Sequence, residues 1–274
     1  MRERLVGLGL VLPALLTILL LFVYPLTTSV TGAFETEAGA GLGNFAKVWE
    51  LYATDILYTL AIVSLSTVLI ALFSIIIGGY LTLGENPRAV AILRWLYRWP
   101  LFIPFIVVGQ IMRTFLAKNG LMNNLLVAAG LLTPLQTTSF LDWRGIVIAF
   151  VWKQTPFVAL LVAGAMAALD RGTIEAARNL GASRLRILVE IVVPQVRGTL
   201  LVGMILSFVT MMSVLSVPLM ISAQTPTMIT ADMAFRINAY GDYGVADALG
   251  LISLAMTFAV AFAYLRQSVR ERSR

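Results

Sequence analysis

The stretch DRGTIEAARNLGASRLRILVEIVVP runs from Asp170 to Pro194, between two long apolar runs. Read residue by residue, it is two short helices joined at a glycine. Thr173 is placed to cap the first helix, and Gly181 suits the left-handed position that ends it. Ser183 is placed to cap the second, and Pro194 marks its boundary with the apolar run that follows. Ala176, Ala177 and Ala182 keep the surface low, so another protein can approach closely. Arg178, Arg184 and Arg186 surround that surface with charge. An ordinary basic loop accounts for the arginines. It does not account for a helix–glycine–helix of this length with alanines on its exposed side.

The flanking sequence places this stretch in a membrane protein. The chain has 274 residues, of which 59% are hydrophobic and 12% charged, with mean hydropathy +0.90. A soluble domain of this size cannot bury so much apolar surface. A helix needs about 20 mostly apolar residues to cross a bilayer. Six runs qualify: Leu5 to Thr28, Ile56 to Leu83, Trp99 to Leu116, Gly145 to Leu169, Thr199 to Ile221, and Val245 to Leu265. The first follows Arg2 and Arg4, as a signal peptide would. Its length, Pro13, Pro25 and the lack of a clean small-x-small cleavage site favour a retained span.

Charge sets the orientation. One side of the spans receives 14 of the 20 basic residues, including Arg88, Arg94, Arg98, the arginines of the quoted stretch and the C-terminal tail. Lys47, Arg113, Lys118, Arg144, Lys153 and Arg236 lie opposite or within spans. The positive-inside rule then places both termini in the cytoplasm, which an even number of spans satisfies. Three outer segments follow: Gly32 to Asp55, Lys118 to Trp143 with a short interfacial helix around Leu121 to Ala129, and Ser222 to Gly244.

Composition also excludes chemistry. The chain has no cysteine and no histidine, which removes disulfides, thiolate and imidazole catalysis and most zinc sites. No lysine follows a glycine, so there is no P-loop for ATP. Neither a catalytic residue nor a metal ligand is expected, and the basic residues are explained by the bilayer rather than by nucleic acid.

Glu175-Ala176-Ala177, Gly181-Ala182, Ile191 and Pro194 stand at the spacing of a known signature, and the chain resembles the type I ABC importer permeases. The resemblance is best from about Trp99 to Leu219. It implies an all-α polytopic membrane protein of six transmembrane helices with the permease fold of that family. Residues 1–55 would form an N-terminal helix and outer loop, 56–265 a core of five spans carrying a coupling loop at 170–198, and 266–274 a basic tail. By the same resemblance, the Glu175–Leu188 region forms the coupling helices that sit in a cleft of a separate ATPase subunit. Members often carry aromatics in the second helix where this chain has Leu185 and Leu188, which would fill that cleft. The implied machine has two permease chains, homologous or identical, two ATPase subunits that bind the ATP, and a periplasmic or lipid-anchored solute-binding protein. It sits in the cell inner membrane among lipid, and this chain is not itself an enzyme and binds no cofactor.

The solute path is sought among intramembrane polar groups, which are costly unless functional. Lys153 lies within Trp152-Lys153-Gln154-Thr155-Pro156-Phe157, and Pro156 frees backbone carbonyls near Trp152. Trp152, Lys153, Gln154 and Arg113 are the candidates, with snorkelling to the outer interface as the plainer account of Arg113. The Trp152-Lys153 and Pro156-Phe157 pairs resemble sugar-type permeases. Arg113-Thr114 before Phe115, and Leu180 before the motif glycine, look polyamine-like, although Asn179 replaces the usual acid. On these residues the reading leans to a polyamine or other small organic ion, with a sugar or sugar phosphate as the alternative. Against a polycation, Lys153 and Arg113 would repel it. A secondary transporter or channel is the rival class, and its marks, paired intramembrane acids or inverted repeats, are not found in the sequence.

Overall fold

The computed structural model describes residues 11–36, 39–222 and 224–272. They form eleven helices and one two-residue hairpin pairing Glu35 with Ala40 and Thr36 with Gly39. The unbroken spans are α1 (Val11–Phe34), α2 (Gly43–Leu83), α6 (Trp143–Ala167), α8 (Arg184–Ser213) and α11 (Tyr243–Arg272). Between them lie α3 (Pro87–Leu96), α4 (Phe105–Leu116), α5 (Leu121–Ala128), α7 (Arg171–Asn179), α9 (Ser216–Ile221) and α10 (Ile229–Phe235).

α6 is the centre of the bundle. In its most apolar window 61% of residues are buried, whereas none are in that of α1. Phe150, Val158, Val162 and Met166 of α6 pack with Val63 and Ile70 of α2, Val108 and Leu116 of α4, and Val196 and Met211 of α8. A second cluster sits at the end of the bundle away from the Asp170–Pro194 stretch, where Ala33, Val48, Tyr52, Ile229, Val245 and Leu249 join α1, α2, α10 and α11. Asn44 ties the end of α1 to the start of α2. Its amide donates to the carbonyls of Ala33 and Glu35 at 3.2 and 2.8 Å.

The expected runs are recovered as helices with four differences, each with a local cause. The third run is a broken helix rather than a straight one. Pro87–Phe102 and Phe105–Ala128 meet at an angle of 108°, because Pro100 and Pro104 supply no N–H and the residue before a proline is driven out of the helical region. Ile103 accordingly has φ −93°, ψ 122°. The second run starts thirteen residues earlier than its hydropathy indicates, at Gly43 rather than Ile56. Asn44, Val48, Tyr52 and Asp55 form a helical stripe there that packs despite the polar residues between them. The fifth run ends at Ser213 and resumes as α9. The outer segment from Ser222 to Gly244 contains α10 and a wide turn, closed by Gly241 at φ +63°. The start of the first run, with Arg2 and Arg4, lies outside the described residues.

α8 departs from expectation at Pro194 in an informative way. The second short helix does not stop there; it continues into the span through a π turn, Leu188–Val192. That wide turn accommodates the missing donor of Pro194 without breaking the helix.

Candidate functional site

The loop from Asp170 to Ser183 is built by three local devices. Asp170, not Thr173, caps α7: its carboxylate accepts from the Gly172 N–H at 3.0 Å and from the Thr173 hydroxyl at 3.2 Å. Those donors hold the Asp170 carboxyl below the usual carboxylate range, the Gly172 N–H contributing most. Both residues are cap formers, and the aspartate wins by preceding the first helical residue. At the other end Gly181 has φ +82°. Its N–H reaches the Arg178 carbonyl at 2.9 Å, and the Ala182 N–H reaches that of Ala177 at 3.0 Å. This is the paired Schellman closure that needs a residue without a Cβ. Ser183 then opens α8 by accepting from the Arg186 N–H at 3.3 Å.

The loop is anchored from beneath and open above. Ile174 and Ile187 are buried, and Ala177, Ala182 and Leu188 pack half-buried on the same core. Arg178 donates to the Leu83 carbonyl at 3.4 Å, and Arg184 pairs with Glu85, so both helices are tied to the C-terminal end of α2. Glu175, Ala176 and Gly181 are exposed. The structure separates the two leucines of the second helix. Leu185 stands 71% exposed, while Leu188 turns inward, so close to α2 that a Cβ at Gly79 would meet it at 2.8 Å. The apolar knob beside Leu185 is instead Leu180, 89% exposed. Its position after Asn179, at the end of an amphipathic turn, is the signal that marked it only as a family variant. Leu180 borders a concavity of about 290 Å³ that is also lined by Ala177, Gly181, Ala182, Arg186 and Ile191.

The four solute-path candidates do not converge. Lys153 is buried and its ammonium donates to the Pro100 and Leu101 carbonyls, both at 2.9 Å. It also lies 5.4 Å above the Phe105 ring. The residue thus bridges α6 to the proline break between α3 and α4, where the Pro100 carbonyl also accepts from the Ile103 N–H at 3.2 Å. Trp152 lines an apolar cavity of about 510 Å³ with Leu69, Phe73, Val151 and Pro156, and Gln154 is buried. Arg113 is elsewhere: its guanidinium donates to the Met220 carbonyl at 3.3 Å and holds α4 to α9.

A polar cluster at the opposite end of the bundle was not legible in the sequence. Asp55 accepts from the Thr227 N–H at 2.6 Å, and Thr59 accepts from the Ile229 N–H at 3.0 Å, fixing the segment before α10 to α2. Arg236 stacks over Tyr52 and Tyr240 and pairs with Asp242 at 3.6 Å. Asp232 is buried with its Oδ2 unpartnered. Burial pushes its carboxyl up to about 7, the Asp55 carboxylate adds to the rise, and Arg236 opposes it. An acid whose folded pKa exceeds its unfolded one loses stability as pH rises from the unfolded value through the folded one. With no histidine in the chain, few other side chains titrate in that window. The melting temperature is expected to fall between about pH 5 and about pH 8, and Asp232→Asn to flatten that slope. An unchanged slope in the variant would remove Asp232 as its source.

Known proteins place these features. The family model of the binding-protein-dependent transport system inner membrane component matches residues 72–270. The trehalose/maltose transport system permease protein MalF of Thermococcus litoralis is 26% identical, over 97% of this chain and 94% of that one. The sulfoquinovosyl glycerol transport system permease protein SmoG of Agrobacterium fabrum is also 26% identical, over 96% and 90%. The spermidine/putrescine transport system permease protein PotB of Salmonella typhimurium is 27% identical, but over 60% of this chain and 57% of that one. In the crystal structure of a bacterial alginate ABC transporter with its alginate pentasaccharide-bound periplasmic protein, one chain superposes with a TM-score of 0.83. That match has 19% identity and covers 98% of this chain and 96% of that one.

Proposed function

The chain belongs to the family of binding-protein-dependent transport system inner membrane components, and from that premise we propose that it conducts a sugar or other polyol-like solute inward. It is the permease of an ABC importer, a membrane-spanning transport subunit rather than an enzyme. Membership also displaces the secondary transporter and channel, although Asp55 and Asp232 do form a buried acidic pair near the outer end.

The sugar reading replaces the lean towards a polyamine. The observation that carries it is that both sugar-type relatives align end to end, while the polyamine permease aligns over 60% of the chain. The site chemistry agrees. Lys153 is committed to two backbone carbonyls, so it is not a free cation that selects by charge.

In the proposed mechanism a periplasmic or lipid-anchored binding protein delivers the solute at the outer end. Two permease chains enclose the path, and two ATPase subunits close on ATP at the inner face. Both termini and the Asp170–Pro194 loop face the cytoplasm. Glu175, Ala176, Gly181 and Leu185, with Leu180, meet the ATPase. Ala177 and Ala182 floor the concavity that receives a side chain from it. Closure moves α7 and the head of α8 together with the end of α2, because Arg178 and Arg184 tie them. The π turn passes that movement into the span, and access alternates.

The solute is tested with the complete importer in liposomes. A neutral disaccharide with the binding protein is expected to raise ATP hydrolysis several-fold, and spermidine to leave it at the basal rate. Stimulation by spermidine and not by saccharides would overturn the sugar reading while leaving the permease assignment standing.

A further inference from the structure

A polar cavity of about 610 Å³ lies between α3, the inner ends of α2 and α6, and α7. Arg94, Arg98, Arg171 and Arg178 line it, and Glu175 is the acid among them. Among the described residues none of these four guanidinium groups makes an ion pair. Arg98 donates once to the Tyr97 hydroxyl and Arg178 once to the Leu83 carbonyl. A guanidinium has five donors in a planar fork suited to phosphate oxygens. Most of that capacity is unused here, and four like charges around one cavity favour an anion within it.

The surroundings say what kind of anion. Pro87–Phe102 turns 108° from Phe105–Ala128, so if α4 runs along the membrane normal α3 lies near the membrane plane. α3 exposes Ile92, Trp95 and Leu96, and Trp99 follows. The Trp95 and Trp99 rings meet edge to face at 4.7 Å. Aromatic and aliphatic groups beside arginines are the composition of a helix seated in the headgroup region. Tyr97, moreover, lines both the arginine cavity and the apolar cavity of about 510 Å³ next to it. A polar compartment opening beside an apolar one fits an amphiphile better than free phosphate.

We propose that the arginine cavity holds the phosphate headgroup of an anionic phospholipid, with its acyl chains along the Tyr97–Trp95 side. The placement at the inner face rests on the orientation given above. Because Arg171, Glu175 and Arg178 belong to α7, the lipid would brace the coupling loop against α3.

The test reads lipid retention, which needs neither the ATPase nor transport, so its failure is separable from failure of the permease assignment. The purified protein is placed in nanodiscs of equal phosphatidylglycerol and phosphatidylcholine, extracted, and its retained lipid measured by native mass spectrometry. Phosphatidylglycerol is expected to be retained at least tenfold over phosphatidylcholine. The double variant Arg94→Gln, Arg98→Gln should lose tenfold or more of it, the Arg→Lys pair should keep part of it, and Lys118→Gln should behave as the parent. Equal retention of the two lipids, or unchanged retention in the double glutamine variant, overturns the proposal. So does complete displacement by millimolar inorganic phosphate, which would identify a soluble anion, or a polypeptide found in the lipid's place.

Discussion

Gly181→Leu is expected to give a chain that inserts and assembles but abolishes solute-stimulated ATP hydrolysis, reducing it tenfold or more. Two effects combine. At φ +82° a side chain is strained by roughly 1 kcal/mol or more, which loosens the closure between α7 and α8. Among the described residues no atom beyond its chain neighbours lies within 4 Å of a Cβ placed there, so the leucine points into the space a partner would occupy. The two effects are separable. Asparagine tolerates the left-handed region better than other residues, so Gly181→Asn should retain a large part of the stimulation. Normal stimulation in the leucine variant would remove the loop from the coupling path. Equal loss in both variants would point to any side chain occluding the partner's space rather than to backbone strain.

Lys153→Met should reduce uptake tenfold or more at matched membrane expression. Methionine keeps the length and fills the space but donates nothing. The Pro100 and Leu101 carbonyls each receive a 2.9 Å bond from the ammonium; without it the Leu101 carbonyl loses its donor and Pro100 keeps only the Ile103 N–H. An unsatisfied buried group costs about 1–3 kcal/mol, enough to let the broken span shift away from α6. The variant should also melt lower in detergent. Lys153→Gln, which can still donate to one carbonyl, should recover part of both. A role in sensing solute charge predicts otherwise: an anion would be transported less, a cation as well or better, and the melting temperature would hold. If both variants match the parent, Lys153 neither clamps the break nor lines the path.

The fold was legible where physics is local and periodic. Apolar length found the spans, and Gly181 and Ser183 marked a loop whose backbone closes as their residue types require. The sequence misled where two rules compete. Around Asn44 to Asp55 hydropathy is low, so the run was cut at Ile56, yet the helical stripe continues and packs. Between Trp99 and Leu116 hydropathy is high throughout, and the prolines break what composition joins. In the second coupling helix Leu185 and Leu188 are both apolar. Only the packing against Gly79 tells which one faces inward. The pairing of Asp55 with the segment before α10 spans 172 residues of sequence, and no local pattern announces it. Lys153 stood out as an intramembrane cation, but its partners are carbonyls 52 and 53 residues away.

The central claim, that the Asp170–Pro194 loop is the face this permease presents to a cytoplasmic ATPase, is tested most directly by crosslinking. The native chain has no cysteine, so Leu185→Cys introduces a single thiol at an exposed position of α8. In inverted membrane vesicles carrying the whole importer, a short bifunctional thiol reagent should join Cys at 185 to a cysteine in the ATPase cleft, with the yield changing on ATP addition. In intact cells an impermeant maleimide should leave position 185 unmodified. A thiol at 185 that reacts from outside, or that never joins the ATPase although the complex hydrolyses ATP, would contradict the account.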